Sequence, residues 1–349
     1  MTMKDPLTLS AKEILKIDKI NPEKIFSVDI YQLQFRRMRS HWHPDKSSDP
    51  QAEEVFKLLM DMGEIAEERI ASNTWKTKAN LLYKTADGKT LRFFYRAFRS
   101  FELGKMYIGD TKVVYVLDDE YGQYYKNGIR AINDIKYKDA KLKKVFEPSM
   151  PKVVRQDKTD IGYVVVVEKP KGMILLQDLI DYLPNKTLPP KHTAWVVSRL
   201  YNVAAFLELN GICHNSILPT TVFVNPEEHA IAVLGGWWYS TKAESKLKAV
   251  PAELIKVLPK EVFKEKKSKT SYDRLAIKGV GIGCLGDSTL IGSRLLMDKD
   301  IPKPFLTWLR SPSSANAIKE YEGWDKTLEI SFGKKKFIKL DVNINDVYK

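Results

Sequence analysis

Gly211-Ile212-Cys213-His214-Asn215-Ser216-Ile217-Leu218-Pro219-Thr220-Thr221-Val222-Phe223-Val224 is the stretch whose reading decides the fold of the larger part of this chain. Immediately before it, Thr193 to Asn210 sets Val196, Leu200, Val203, Ala204 and Leu207 on one face, which predicts a helix. Gly211 then stands where helices commonly end in the left-handed conformation. The stretch closes on an apolar strand, Val222 to Val224. It therefore reads as a loop between a long helix and a buried strand.

Upstream the pattern is that of strands. Asp87-Gly88 is a turn signal ahead of the aromatic-rich Lys89 to Phe101, and Lys105 to Asp118 carries Met106-Tyr107-Ile108, Gly109-Asp110 and Val113-Val114-Tyr115-Val116. Tyr163 to Glu168 is an apolar run of the kind a buried strand shows, whereas Gly128 to Phe146 is Lys-rich, amphipathic and predicted as one helix. A last strand is predicted over Phe337 to Val342, after the solvated run Lys334-Lys335-Lys336. Strands first and helices after predict α+β in two lobes.

Farther upstream, His43-Pro44-Asp45 sits between two helical patterns. Phe35, Met38 and Trp42 share a face, with Arg36, Arg37 and Arg39 projecting elsewhere. Asp49-Pro50 and Ala52-Glu53-Glu54 start the next helix, whose apolar stripe is Val55, Phe56, Leu59, Met62, Ile65 and Ala66. Two antiparallel helices with a tight loop are predicted. Proline fixes one torsion and the adjacent carboxylate can pair with a partner cation, so the loop can present a rigid charged tip without a pocket. An ordinary helix-to-helix turn draws on the same residue types.

At 349 residues the chain has room for more than one domain. Cys213 and Cys284 are isolated in sequence, which excludes a disulfide framework and a cysteine-rich zinc module and fits a reducing cytoplasm. No stretch of about eighteen apolar residues occurs, so no membrane partner is expected. A net charge of +13 raises nucleic acid as a partner, but the lysines are spread over 136–144, 256–269 and 334–339 among acids, and dispersed charge reads as solvated surface. His41, His192 and His229 show no metal-ligand spacing, and neither a metal nor a cofactor is expected.

The first seventy or so positions resemble the J-domain of DnaJ-like co-chaperones, with Ala11 to Ile17, Ile30 to Trp42 and Gln51 to Ala71 as helices one to three. Ser40 and Gly63 depart from the apolar or aromatic residues usual at those places. The resemblance implies a J-domain over 1–75 that docks on a DnaK-type (heat-shock 70 kDa) chaperone and stimulates its ATPase. The docking residues it implies are Arg36, Arg37, Arg39, His43, Pro44, Asp45 and Lys46.

The stretch quoted first resembles the protein-kinase catalytic loop, within a likeness over 85–325 that has an N-lobe at 85–168, a C-lobe at 173–325 and a tail at 326–349. His214 and Pro219 match. Ser216 stands at the catalytic aspartate, Leu218 at the following lysine, Thr221 at the metal-binding asparagine, and Gly235 at the aspartate of Asp-Phe-Gly. Val250-Pro251-Ala252-Glu253 resembles the Ala-Pro-Glu segment, Glu168 to Gly172 the hinge, and Ser271 to Val280 the central helix whose aspartate, here Asp273, braces the catalytic loop. Lys126 is the best counterpart of the nucleotide-binding lysine, with Lys112 as an alternative, and Gly104 to Gly109 lacks the three-glycine pattern. Phosphoryl transfer depends on metal ions and an orienting carboxylate, so the likeness implies an inactive, pseudokinase-type domain. Trp237-Trp238-Tyr239 is read as a plug in the vacated nucleotide cleft rather than an exposed anchor.

Together the two resemblances imply a multi-domain α+β co-chaperone whose kinase-like part binds a client or partner that the sequence does not name. A divergent active kinase using Lys126 and a basic nucleic-acid-associated scaffold are the rival readings.

Overall fold

The computed structural model describes residues 6–17, 19–71, 75, 79–334, 336 and 338–348. Two compact units emerge: the first runs to Arg99 and takes in Tyr107–Gly109, and the second holds Ser100–Met106 and Asp110–Tyr348.

In the first unit, Ser10 caps α1 (Ala11–Leu15) reciprocally with Glu13. Helices α2 (Tyr31–His41) and α3 (Ala52–Ala71) follow, within a residue or two of the predicted bounds. Ile14, Phe26, Tyr31, Phe35, Met38, Trp42, Val55, Leu59 and Met62 form their shared core. The Tyr31 hydroxyl, at the start of α2, donates to the Gly63 carbonyl at 3.1 Å, while His43, beyond its end, sets its ring 5.2 Å from that of Phe56. Later residues of α2 thus meet earlier residues of α3, and the pair is antiparallel. Buried Arg69 closes the far end, bonding Glu23 at 2.7 Å and the Ile20 carbonyl.

The hairpin β1 (Asn80–Lys84) and β2 (Thr90–Phe94) pairs Asn80 with Phe94 and Lys84 with Thr90 around Gly88, whose φ of +80° needs glycine. The predicted strand from Lys89 to Phe101 is therefore two, β2 and β3 (Ala97–Phe101). Strands β4 (Gly104–Ile108), β5 (Lys112–Leu117), β6 (Val153–Thr159) and β7 (Gly162–Glu168) complete a sheet of order β3-β4-β5-β7-β6. Antiparallel β5 and β7 pair Lys112 with Glu168 through to Leu117 with Tyr163. Both are almost wholly buried, as their apolar runs require.

The single helix predicted over Gly128 to Phe146 is corrected to two, α4 (Gly122–Asn133) and α5 (Ala140–Phe146). Asp139 causes the restart: its carboxylate accepts the Leu142 N–H at 2.7 Å, so it caps a new helix instead of continuing the old one. The remaining elements are β8 (Ile174–Leu175), α6 (Leu176–Tyr182), α7 (Pro190–Leu209), β9 (Ile212–Cys213), β10 (Val222–Asn225), β11 (Ala230–Val233), β12 (Thr241–Lys242), α8 (Glu261–Glu265), α9 (Thr270–Cys284), α10 (Lys303–Leu309), α11 (Ala317–Phe332) and α12 (Ile344–Val347). Gly211 has φ +64°, the conformation expected after α7.

The helices of this part are tied by buried polar bonds. Lys278 of α9 pairs with Glu320 of α11 at 2.9 Å and lies 4.2 Å over the Trp308 ring of α10. The Trp324 indole of α11 donates to Ser198 of α7 at 2.8 Å. The predicted last strand is not found over 338–342, and its first residue, Phe337, lies outside the described residues. The tail instead docks through Tyr348, whose hydroxyl accepts the Leu175 N–H at 3.0 Å and donates to Asp178 at 2.6 Å. No helix among the described residues is long and apolar enough to cross a membrane.

Gly63 is where α3 accommodates Phe35: a Cβ there would stand 2.4 Å from the Phe35 ring. Gly63→Val is expected to lower stability by about 2 kcal/mol through overpacking. Chemical denaturation checks this, and an unchanged midpoint would mean that Phe35 moves aside freely.

Candidate functional site

In the first unit the tip between α2 and α3 is held by its own backbone. The His43 carbonyl accepts the N–H groups of Lys46 at 2.8 Å and Ser47 at 2.9 Å, and the Asp45 N–H donates to His43 Nδ1 at 3.2 Å. The His43 imidazole meets Phe56 edge-on yet stays 41% exposed, with Nδ1 3.7 Å from the carboxylate of Asp45, whose side chain is 87% exposed. Pro44 and Lys46 are exposed as well. Arg36, Arg37 and Arg39 lie on the solvent side of α2, because Phe35 and Met38 take the core side, and Arg39 rests 5.9 Å over the Phe35 ring. None of the three arginines has a carboxylate partner among the described residues. The sequence-predicted residues are therefore gathered as exposed arginines along α2 with the exposed Asp45 carboxylate in the loop beyond its end.

In the second unit, the loop between β9 and β10 is organised by Asp273 of α9. Its carboxylate is buried and accepts the backbone N–H groups of His214 at 2.7 Å and Asn215 at 2.8 Å. Asn215, at φ +60°, donates to the Tyr239 carbonyl at 3.1 Å and to Thr241 at 2.9 Å, and accepts from Ser268 at 3.0 Å. Thr221 bonds within its own loop, donating to the Ser216 carbonyl at 2.7 Å and accepting the Leu218 N–H at 3.0 Å. Burial lowers the His214 imidazole to about 3 and raises the Asp273 carboxyl to about 6, the two N–H bonds opposing the latter.

Gly235 and Gly236 come close to this loop. A Cβ on Gly235 would lie 2.9 Å from the Tyr115 hydroxyl, and one on Gly236 only 2.6 Å from Ser216 Oγ, at a φ of +81°. Glycine is needed at both. Trp237, Trp238 and Tyr239 follow, and all three are buried. Trp238 stacks on Phe101 at 5.1 Å and meets Tyr115 edge-on at 5.0 Å, while Trp237 packs 4.8 Å from His214. Asn127 of α4 clamps this segment, donating to the carbonyls of Trp238 at 2.9 Å and Ser240 at 2.8 Å. Tyr239 donates to Glu102 at 2.7 Å, which also accepts the Ala252 N–H at 2.7 Å.

Lys126 is not brought into this site. It lies exposed on α4, whereas in kinases the nucleotide lysine stands on a strand. Lys112 is exposed at the first position of β5, whose buried interior carries Tyr115 instead of a lysine. Asn127, Tyr115 and Glu102 escaped the sequence reading because each acts through long-range bonds or ring contacts that leave no periodic signal. Ser216, Leu218, Thr221 and Gly235 are gathered with His214 and Asp273, but they supply no carboxylate beyond Asp273, which is occupied by backbone. Among the described residues no three His, Cys, Asp or Glu side chains gather as a metal site. His192 and His229 adjoin each other edge-on at 6.4 Å.

No family model matches the chain, and no curated protein matches it. Among solved structures, the chain is similar to a structure of vaccinia related kinase 3, with a TM-score of 0.47 and 12% identity over 76% of this chain and 95% of that one.

Asp273→Asn keeps the shape but presents an N–H₂ group to one of two buried N–H donors, so it is expected to cost about 1–3 kcal/mol. The pH dependence supplies a second readout. Asp273, raised by burial, removes stability as pH climbs from about 4 to about 6, and His214, lowered by burial, removes stability as pH falls below about 6.5. With Asp273 gone only the His214 contribution remains, so the variant's stability is expected to rise more steeply between pH 4 and 6 than the wild type's. Denaturation midpoints across that range check the sign.

Proposed function

We propose that this chain is a J-domain co-chaperone: its first unit recruits a DnaK-type ATPase and stimulates ATP hydrolysis, and its second is a kinase-like domain that binds a client or partner without transferring phosphate. The observation that carries the reading is the His43-Pro44-Asp45 tip, fixed by its own backbone bonds at the end of a helix whose exposed face bears Arg36, Arg37 and Arg39. A preformed charged tip docks at low ordering cost, and an arginine face steers it to an acidic partner. The inactive reading of the second unit is supported by Ser216, Thr221 and Gly235, none of which offers a carboxylate, and by the aromatic packing around Trp238.

His43→Gln is expected to abolish stimulation of a cognate DnaK-type ATPase in single-turnover assays while leaving the fold intact. Equal stimulation by wild type and variant would reduce the tip to a turn. Arg37→Glu is expected to slow association by about tenfold at low salt, with the difference shrinking as ionic strength rises. Magnesium and ATP together are expected to raise the melting temperature no more than salt does, and label transfer to generic substrates is expected to be nil. A magnesium-dependent shift of several degrees would report real nucleotide binding and favour the active-kinase reading.

A further inference from the structure

We infer that the second unit carries a binding site for a phosphorylated aromatic small molecule of mononucleotide size, in the cavity between α7, α11 and the segment that follows α11. This cavity holds about 580 Å³ and is lined by four permanent cations, Lys191, Arg199, Lys334 and Lys336, against one carboxylate, Asp325. Its volume falls within the range of roughly 300–1,000 Å³ typical of small-molecule sites. Dispersed lysines on a convex surface are merely solvated, but four cations lining one concavity against a single carboxylate set up a positive potential that an anion can relieve. Lys191, Lys334 and Lys336 have no ion-pair partner among the described residues. Arg199 is held in place by donation from Nε to the His229 carbonyl at 3.1 Å.

The aromatic part of the lining selects the ligand's other half. Trp195 lies parallel to the His229 ring at 4.7 Å and 7°, and His229 is oriented by its Nε2 contact to the Ile338 carbonyl at 3.0 Å. Burial lowers the His229 pKa, so at neutral pH the stacked pair is an uncharged aromatic platform. Cations take a phosphate and the platform takes a flat ring, the two parts of a nucleoside monophosphate. The lining shares no residue with the loop at Ser216 and Gly235.

Isothermal titration of the full chain in EDTA, with AMP, adenosine and inorganic phosphate as separate probes, tests the inference. AMP is expected to bind one to one, with adenosine and phosphate each weaker by about tenfold or more, and the exposed-site variant Lys191→Glu is expected to weaken AMP by about tenfold. Trp195→Leu should weaken AMP while leaving phosphate binding as it was. Absence of AMP binding up to about 1 mM overturns the site. Equal affinity for AMP and phosphate overturns the aromatic half, and equal affinity for AMP and adenosine overturns the cationic half. Binding that requires magnesium and ignores Lys191→Glu would belong to the kinase-like loop, overturning both this site and the inactive reading of that loop.

Discussion

The Asp273 carboxylate, buried and bonded to two consecutive backbone N–H groups, is the interaction on which the second unit's organisation depends. Removing a carboxylate from water is costly unless its lone pairs are filled, and here the donors are backbone groups that would themselves be unpaired in the interior. Each side thus satisfies the other. The bond fixes His214 and Asn215 on α9, and from Asn215 the network runs on to Tyr239, Thr241 and Ser268. Four separated segments are held together by one side-chain amide and one carboxylate. The opposite displacements of the His214 and Asp273 pKa values follow from the same burial: each favours its uncharged form, one a base and the other an acid.

What the network encloses combines aromatic rings with buried polar atoms: the Tyr115 hydroxyl and Ser216 Oγ have no hydrogen-bond partner among the described residues. Gly235 and Gly236 let the chain pass within touching distance of Tyr115 and Ser216, and the indole and phenol rings that follow fill the space beyond. The groups nearest the two glycines are the Tyr115 hydroxyl, Ser216 Oγ and the His214 ring, with Trp238, Phe101 and Tyr115 packed on one another beside them. Asn127 adds a second lock, since both carbonyls it reaches belong to the aromatic segment. In the first unit the core is mainly hydrophobic packing, with the buried Arg69 and the Tyr31 hydroxyl bonded within it, and Asp45 and the α2 arginines stand on the outside.

How far this was legible in the sequence depended on whether a feature is periodic. α2, α3 and α7 are written in recurring apolar positions, and their bounds followed within a few residues; Gly211 marked the end of α7 because left-handed backbone favours glycine. The break between α4 and α5 was hidden because lysines on an exposed face keep the same pattern on either side of it, and only the capping by Asp139 decides. Strand β1 was missed because its partner β2 carried the aromatic signal. Lys126 was chosen by residue type alone, and type does not distinguish a strand interior from an exposed helix face. Asn127 joins groups 111 and 113 residues away, which no local window contains.

The net charge of +13 can now be placed. Three of the most deeply buried cations, Arg69, Arg274 and Lys278, are each paired with a carboxylate, Glu23, Glu208 and Glu320, so they add nothing to the excess. The excess therefore sits on the surface, where screening limits each charge to about 8–10 Å and position matters more than the total. On α2 three exposed arginines share one helix, with the exposed Asp45 carboxylate in the loop beyond its end. Dispersed lysines carry no such order. Asp45, 87% exposed and with its carboxylate 3.7 Å from His43 Nδ1, sets a negative charge in the loop beyond that basic helix, so the local order of charge there differs in kind from the chain's total of +13.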